Sequence, residues 1–271
     1  MTLSTIRNNP AKQKKVKTKK QKAIAATCAV AFWLLVWHVV SLCVGSELVL
    51  VSPVKVVQTL FTVIFDPDFL KTVWYSAARI LGGFFTALTL GTVLGWVASR
   101  FWVVETLLPA IKATPVASFI ILVLLWFSGK NLSVIISMLM VFPVIYMNVL
   151  EGIRSADEEL LEMAQVFRLS VSKKLLYIYL PAVAPFFVSA CSVSLGLCWK
   201  SGIAAEVIGT PDGSIGAVFY QAKIFLQTSE LLAWTVVVVA VSVAFEKLFM
   251  LLLRLVLKKL KMEDVLNGKR A

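Results

Sequence analysis

"EMAQVFRLSVSKKLLYIYLP", residues Glu162 to Pro181, lies between stretches of lipid-grade apolar sequence yet carries Glu162, Arg168, Lys173 and Lys174. Ser155 followed by Glu158 fits an S-x-x-E capping box, which predicts a helix from near Ala156 to about Phe167. A second helix is expected after Ser170 or Ser172, leading to Pro181. Two short helices meeting near Arg168 to Ser170 make a polar knuckle. One reading has it protrude into a groove on a soluble partner; the other lays an amphipathic helix on the headgroups, with Lys173 and Lys174 drawn to anionic lipid.

The surroundings set the class. Of 271 residues, 59% are hydrophobic and 15% charged, against roughly 25% charged in soluble domains, so the chain reads as an all-α integral membrane protein. The net charge of +12 is gathered at the ends, beginning with Arg7, Lys12, Lys14, Lys15, Lys17, Lys19, Lys20 and Lys22. Such tails orient a membrane protein and do not call for nucleic acid. Cys28, Cys43, Cys191 and Cys198 fall in or beside apolar segments and read as small hydrophobes, not a disulfide framework.

At about 20 apolar residues per crossing, six spans are expected: 23–43, 80–99, 107–127, 132–150, 182–204 and 231–253. Residues 1–22 then form a basic cytoplasmic tail, 23–253 the transmembrane domain with a loop at 151–181, and 254–271 a second cytoplasmic tail. An even number of spans returns both basic tails, Arg100 and the knuckle to the cytoplasmic side. The first apolar run is too long for a cleaved signal core and is read as an uncleaved span.

Within the second span, Gly83, Ala87, Gly91, Gly95 and Ser99 recur every fourth residue, which predicts a narrow ridge for close helix approach. Pro109, Pro115 and Pro143 lie in or near spans, where each kinks a helix or serves packing. The fifth span is the most polar, with Ser192, Trp199 and Lys200 as candidates to line a pathway. Lys200 either attracts an anion or snorkels to headgroups.

Glu162-Met163-Ala164, Arg168 and Ile178-Tyr179-Leu180-Pro181 match, in spacing, the E-A-A, three residues, G, nine residues, I-x-L-P signature. With Arg79-Ile80-Leu81-Gly82-Gly83-Phe84, Leu125-Trp126-Phe127-Ser128-Gly129 and Glu151-Gly152-Ile153-Arg154, the chain resembles permease subunits of bacterial type I ABC importers, in the nitrate, sulfonate, taurine and bicarbonate group that also includes importers of thiamine precursors. The resemblance implies a six-helix permease in the plasma (inner) membrane, working as a homodimer or with a similar subunit. It implies ABC ATPase subunits, which bind ATP and Mg, and an extracytoplasmic substrate-binding protein as partners. The knuckle becomes a coupling helix pair, with Glu162, Met163, Ala164, Arg168, Leu169 and Ser170 contacting the ATPase.

Two positions depart from the signature: Met163 replaces its second Ala and Arg168 its Gly. Arg in a left-handed turn costs about 1 kcal/mol, so either the turn is built differently or Arg168 makes a charged contact of its own. Glu206, a Glu in many such permeases, either pairs with Lys200 across a break at Gly202 or caps an external helix near Ala217 to Leu226.

The chain has no G-x-x-x-x-G-K-[ST] run, one histidine (His38) and no metal-ligand spacing. It is therefore not expected to be an enzyme or to bind a cofactor itself. An ion-gradient-driven transporter or channel would call for inward carboxylates or histidines at mid-span. Here only Glu246, beside Lys247, comes near that description. A non-transporting anchor would not need the polar fifth span.

Overall fold

The computed structural model describes residues 19–100 and 115–259, and they are helical with no strand among them. The chain forms two units, residues 1–55 and 56–271. The first holds α1, Lys19–Val44, an almost wholly apolar helix that ends at Gly45 in a left-handed conformation. Ser41, in its last turn, donates through Oγ to the Leu50 carbonyl, and just beyond the helix Lys55 pairs with Glu47. Helix α2, Pro53–Ile64, starts directly at its proline.

The second unit is built on α3 (Phe69–Ala98), α4 (Val116–Trp126), α5 (Leu132–Arg154), α6 (Glu158–Val166), α7 (Val171–Gly209), α8 (Ile215–Ile224) and α9 (Thr228–Lys259). Five helical stretches among the described residues are long and apolar enough to cross a membrane: Thr27–Val44, Phe69–Ala98, Gly129–Arg154, Val171–Gly209 and Thr228–Lys259. The expected third span, 107–127, begins outside the described residues; its described part, α4, has 11 residues. Against the expected six, the described residues hold five helices of membrane-crossing length and one shorter apolar helix, α4.

Hydropathy misplaced several ends. Helix α3 starts at Phe69, so Arg79 sits well inside a continuous helix instead of opening a span. Its first turns carry Lys71, Thr72, Tyr75 and Ser76, which dilute the apolar signal without breaking the backbone pattern. Helix α7 also runs unbroken through Gly202, because that position is packed against Ile80 and Ser137 and is not free to bend.

The small-residue ridge sets the helix stacking. Gly83, Ala87, Gly91 and Gly95 are buried in one line along α3 and face α5. A methyl group on Gly83 would run into the Val134 carbonyl and lie 2.9 Å from Ser137 Cβ. From the same region of α5, Ser137 Oγ donates to the Cys198 carbonyl of α7 at 3.2 Å. Ile80, Phe84, Val141, Ile145, Leu195 and Trp199 fill the spaces between the three helices. Helix α9 closes the core through Phe249, edge-on to Phe84 at 5.3 Å, and Phe245 beside Trp199 at 5.8 Å.

Gly83→Ala should destabilise the protein by about 1–3 kcal/mol, the usual penalty for overpacking, whereas Gly82→Ala, with nothing within 4 Å of the added carbon, should be close to silent. Thermal unfolding of the two purified variants checks the contrast between these adjacent glycines.

Candidate functional site

The stretch between α5 and α7 folds into a compact elbow. Ser155 does not form the expected capping box; it ends α5, with its Oγ donating to the Gly152 carbonyl. Asp157 takes over as N-cap of α6, its carboxylate accepting from the Glu159 amide at 3.0 Å. An aspartate there also meets the positive end of the helix, as do Glu158 and Glu159 in the first turn.

Helix α6 stops at Val166, and Arg168 adopts φ +48°, the left-handed turn that a glycine would supply. The Leu169 amide reaches back to the Ala164 carbonyl and the Arg168 amide to Gln165, both at 2.9 Å. These two bonds are a Schellman cap, completed by Leu169 folding against Ala164, Ala156 and Ile178. The arginine thus takes the same turn as a glycine.

The second helix of the pair is not separate. It is the first turn of α7, Val171–Lys174, which continues through a π-helical turn at Leu175–Tyr179 into Leu180–Gly209. Pro181 explains the widened turn: without an N–H it cannot bond to the carbonyl four residues back, and the Leu180 amide bonds five residues back to Leu175.

The six candidate coupling residues occupy different places. Glu162, Met163, Arg168 and Ser170 are exposed and Leu169 is half-buried. Ala164, 1% exposed, is an interior residue of the elbow, since only a methyl fits against Ala156 and Ile178. The reading of residues missed the apolar tip: Val166 is 80% exposed, Phe167 71% and Val171 76%. Their signal was the placement of bulky apolar residues at the end of a polar helix, opposite Ala164.

The pathway candidates do not form one cluster. Ser192 donates to Glu246 Oε1 on α9 at 3.1 Å, Trp199 is buried in the core, and Lys200 is exposed and pairs with no described residue. Glu206 is fully buried at the far end of α7. Its Oε2 accepts from Ser76 Oγ at 2.6 Å and from the Gly216 amide at 3.3 Å, while Arg79 Nε stands 3.9 Å from Oε1. Ser76 Oγ in turn accepts from the Ile215 amide, and Arg79 is held by Ser133 Oγ and the Tyr75 hydroxyl.

Of the two roles open to Glu206, the geometry takes the second: it caps α8, and Lys200 has no part. Gly216 permits this, because any side chain there would collide with the Glu206 backbone. The cluster therefore pins α3, α5, α7 and the start of α8 at one point, opposite to the elbow. Sequence reasoning overlooked the meeting of Ser76 and Arg79, on α3, with Ser133 and Glu206, which lie far from them in the chain and reach them only through the helix stacking.

Residues 79–262 match the family model described as "Binding-protein-dependent transport system inner membrane component". The chain belongs to that family. As a member it is a multi-pass permease component of the inner membrane, not the ATP-hydrolysing part of its transport system.

Among its relatives is a Bacillus subtilis protein provisionally assigned as the aliphatic sulfonates transport permease SsuC, 28% identical over 83% of each chain. The Escherichia coli taurine transport system permease protein TauC is 25% identical, over 78% of this chain and 80% of its own. The Synechocystis nitrate import permease protein NrtB is 25% identical over 73% and 76%.

Arg168→Gly should stabilise the elbow by about 1 kcal/mol by relieving the left-handed arginine, seen as slower amide exchange over 157–170. Glu206→Ala should cost about 1.5–3 kcal/mol, the range for hydrogen bonds to a charged group, and speed exchange at Ile215 and Gly216. Lys200→Ala should leave those amides unchanged.

Proposed function

We propose that this permease component forms, with a second copy of itself, the pathway of an ATP-driven importer for a small anionic solute. The elbow is the coupling element: separate ABC ATPase subunits receive it in a cleft, and their closure on ATP swings it. A substrate-binding protein delivers the solute on the opposite side, and both basic tails lie in the cytoplasm of a bacterial cell, with six crossings in all.

The observation that carries this reading is the build of the elbow. A nine-residue helix is capped at both ends, packed through Ala164 onto the base of α7, and still leaves Val166 and Phe167 exposed. Apolar side chains on a rigid projection are what a partner's pocket uses as anchors. Glu162 and Arg168, beside them, supply charge at the rim. The anionic substrate class is supported by the relatives named for sulfonates, taurine and nitrate.

The buried carboxylate Glu206, bound to Ser76 and Gly216, is occupied in holding helices together, which weighs against an ion-gradient relay. Inward opening and closing then follows from rigid-body rocking of the helix stack about the pathway.

Phe167→Asp or Glu162→Arg should leave membrane insertion intact while lowering ligand-stimulated ATP hydrolysis by about tenfold or more, as expected for losing an interface anchor. Reconstituted complexes with the cognate ATPase provide the measurement. Stimulation at the wild-type rate in both variants would overturn the coupling role.

A further inference from the structure

Two adjoining cavities, of about 280 Å³ and 220 Å³, open between the elbow and the end of α3. Both share Trp96, Arg100 and Tyr179 as walls, the two rings meeting edge to face at 5.4 Å. Arg154 and Glu158 complete the first, and Lys174 the second. Arg100, just past the end of α3, thus faces both cavities, joined by Arg154 from the last turn of α5 in the first and by Lys174 from the first turn of α7 in the second. Among the described residues that line them, Glu158 is the one carboxylate. The N-terminal turn of α7, at Val171, also reaches the second cavity and brings a helix dipole end of the same positive sign.

A bias toward basic residues on one side of a membrane requires only their sign. It does not require them to face one aromatic-walled hollow. A concave surface lined by charges of one sign concentrates their field, and a guanidinium presents paired N–H groups that suit an oxyanion. We propose that this basic hollow binds a tetrahedral oxyanion, a phosphate or sulfate group, either free in solution or carried as the headgroup of an acidic phospholipid. Bound there, the oxyanion bridges Arg100, in the turn just past α3, to Lys174 on α7 and holds the elbow against the helix stack. Its effect on transport, a brake on the swing of the elbow, rests on the coupling role proposed above; the binding itself does not.

The full-length chain in phosphatidylcholine nanodiscs, titrated with sodium sulfate against sodium chloride at matched ionic strength, tests the free anion. Nanodiscs containing phosphatidylglycerol, without sulfate, test the headgroup. Amide hydrogen exchange over residues 157–174 is the readout in both arms. Slower exchange in the sulfate arm assigns a free oxyanion, and slower exchange in the phosphatidylglycerol arm assigns a headgroup. In either case the double variant R100Q/K174Q should weaken the effect by about tenfold or more, the scale of a lost charge-assisted hydrogen bond, and E158Q should strengthen it. Equal exchange with and without the anion in both arms overturns the proposal, as does protection that persists undiminished in R100Q/K174Q. No ATPase is needed for this measurement, so its failure and a failure of the coupling role are read separately.

Discussion

Lipid tails are as apolar as leucine, so no water squeezes the helices of this protein together; they must hold by contact distance. The approach of α3 to α5 at Gly83, Gly91 and Gly95 provides that distance. With backbones this close, dispersion and shape fit replace the hydrophobic drive of soluble cores. Everything else hangs on this stack: it positions Trp199 and Phe84 in the core, it brings Ser133 to Arg79, and it sets Ser76 next to Glu206.

The two ends of the stack solve opposite problems. At one end a buried carboxylate, Glu206, accepts from donors on α3 and at the start of α8, and so closes a helix terminus. At the other, the elbow exposes apolar side chains while its helix is closed by an aspartate cap at one end and a Schellman turn at the other. Burying a charge in the first place and exposing phenylalanine in the second are both unfavourable in isolation. Each is tolerated because the local hydrogen bonds leave no cheaper arrangement.

Much of this was legible in the residues. The ridge of Gly83, Ala87, Gly91 and Gly95 announced a packing seam by spacing alone, and the signature from Glu162 to Pro181 located the elbow. What escaped did so for identifiable reasons. The capping box at Ser155 lost to Asp157 because both residues can cap, and the chain needed Ser155 to finish α5. The start of α3 was placed too late because its polar first turns read as a loop to a hydropathy window. The cluster around Glu206 was invisible, since Ser76 and Glu206 are separated by 130 positions and only the fold brings them together. At Arg168 the residue type argued against a left-handed turn, yet two backbone bonds and the burial of Leu169 outweigh a strain of about 1 kcal/mol.

Helix α7 begins in the elbow and ends at the Glu206 cluster, 39 residues in one continuous run. At 1.5 Å per residue the stretch 181–209 is roughly 43 Å long, so a tilt of about 5° at Pro181 would move its far end by about 4 Å. The widened turn ahead of Pro181 is the fulcrum, a joint already short of one backbone bond and therefore soft to bending. Because Glu206 accepts from Ser76 on α3 as well as from the start of α8, the far end of α7 is tied to both, and any tilt of the helix would carry them with it.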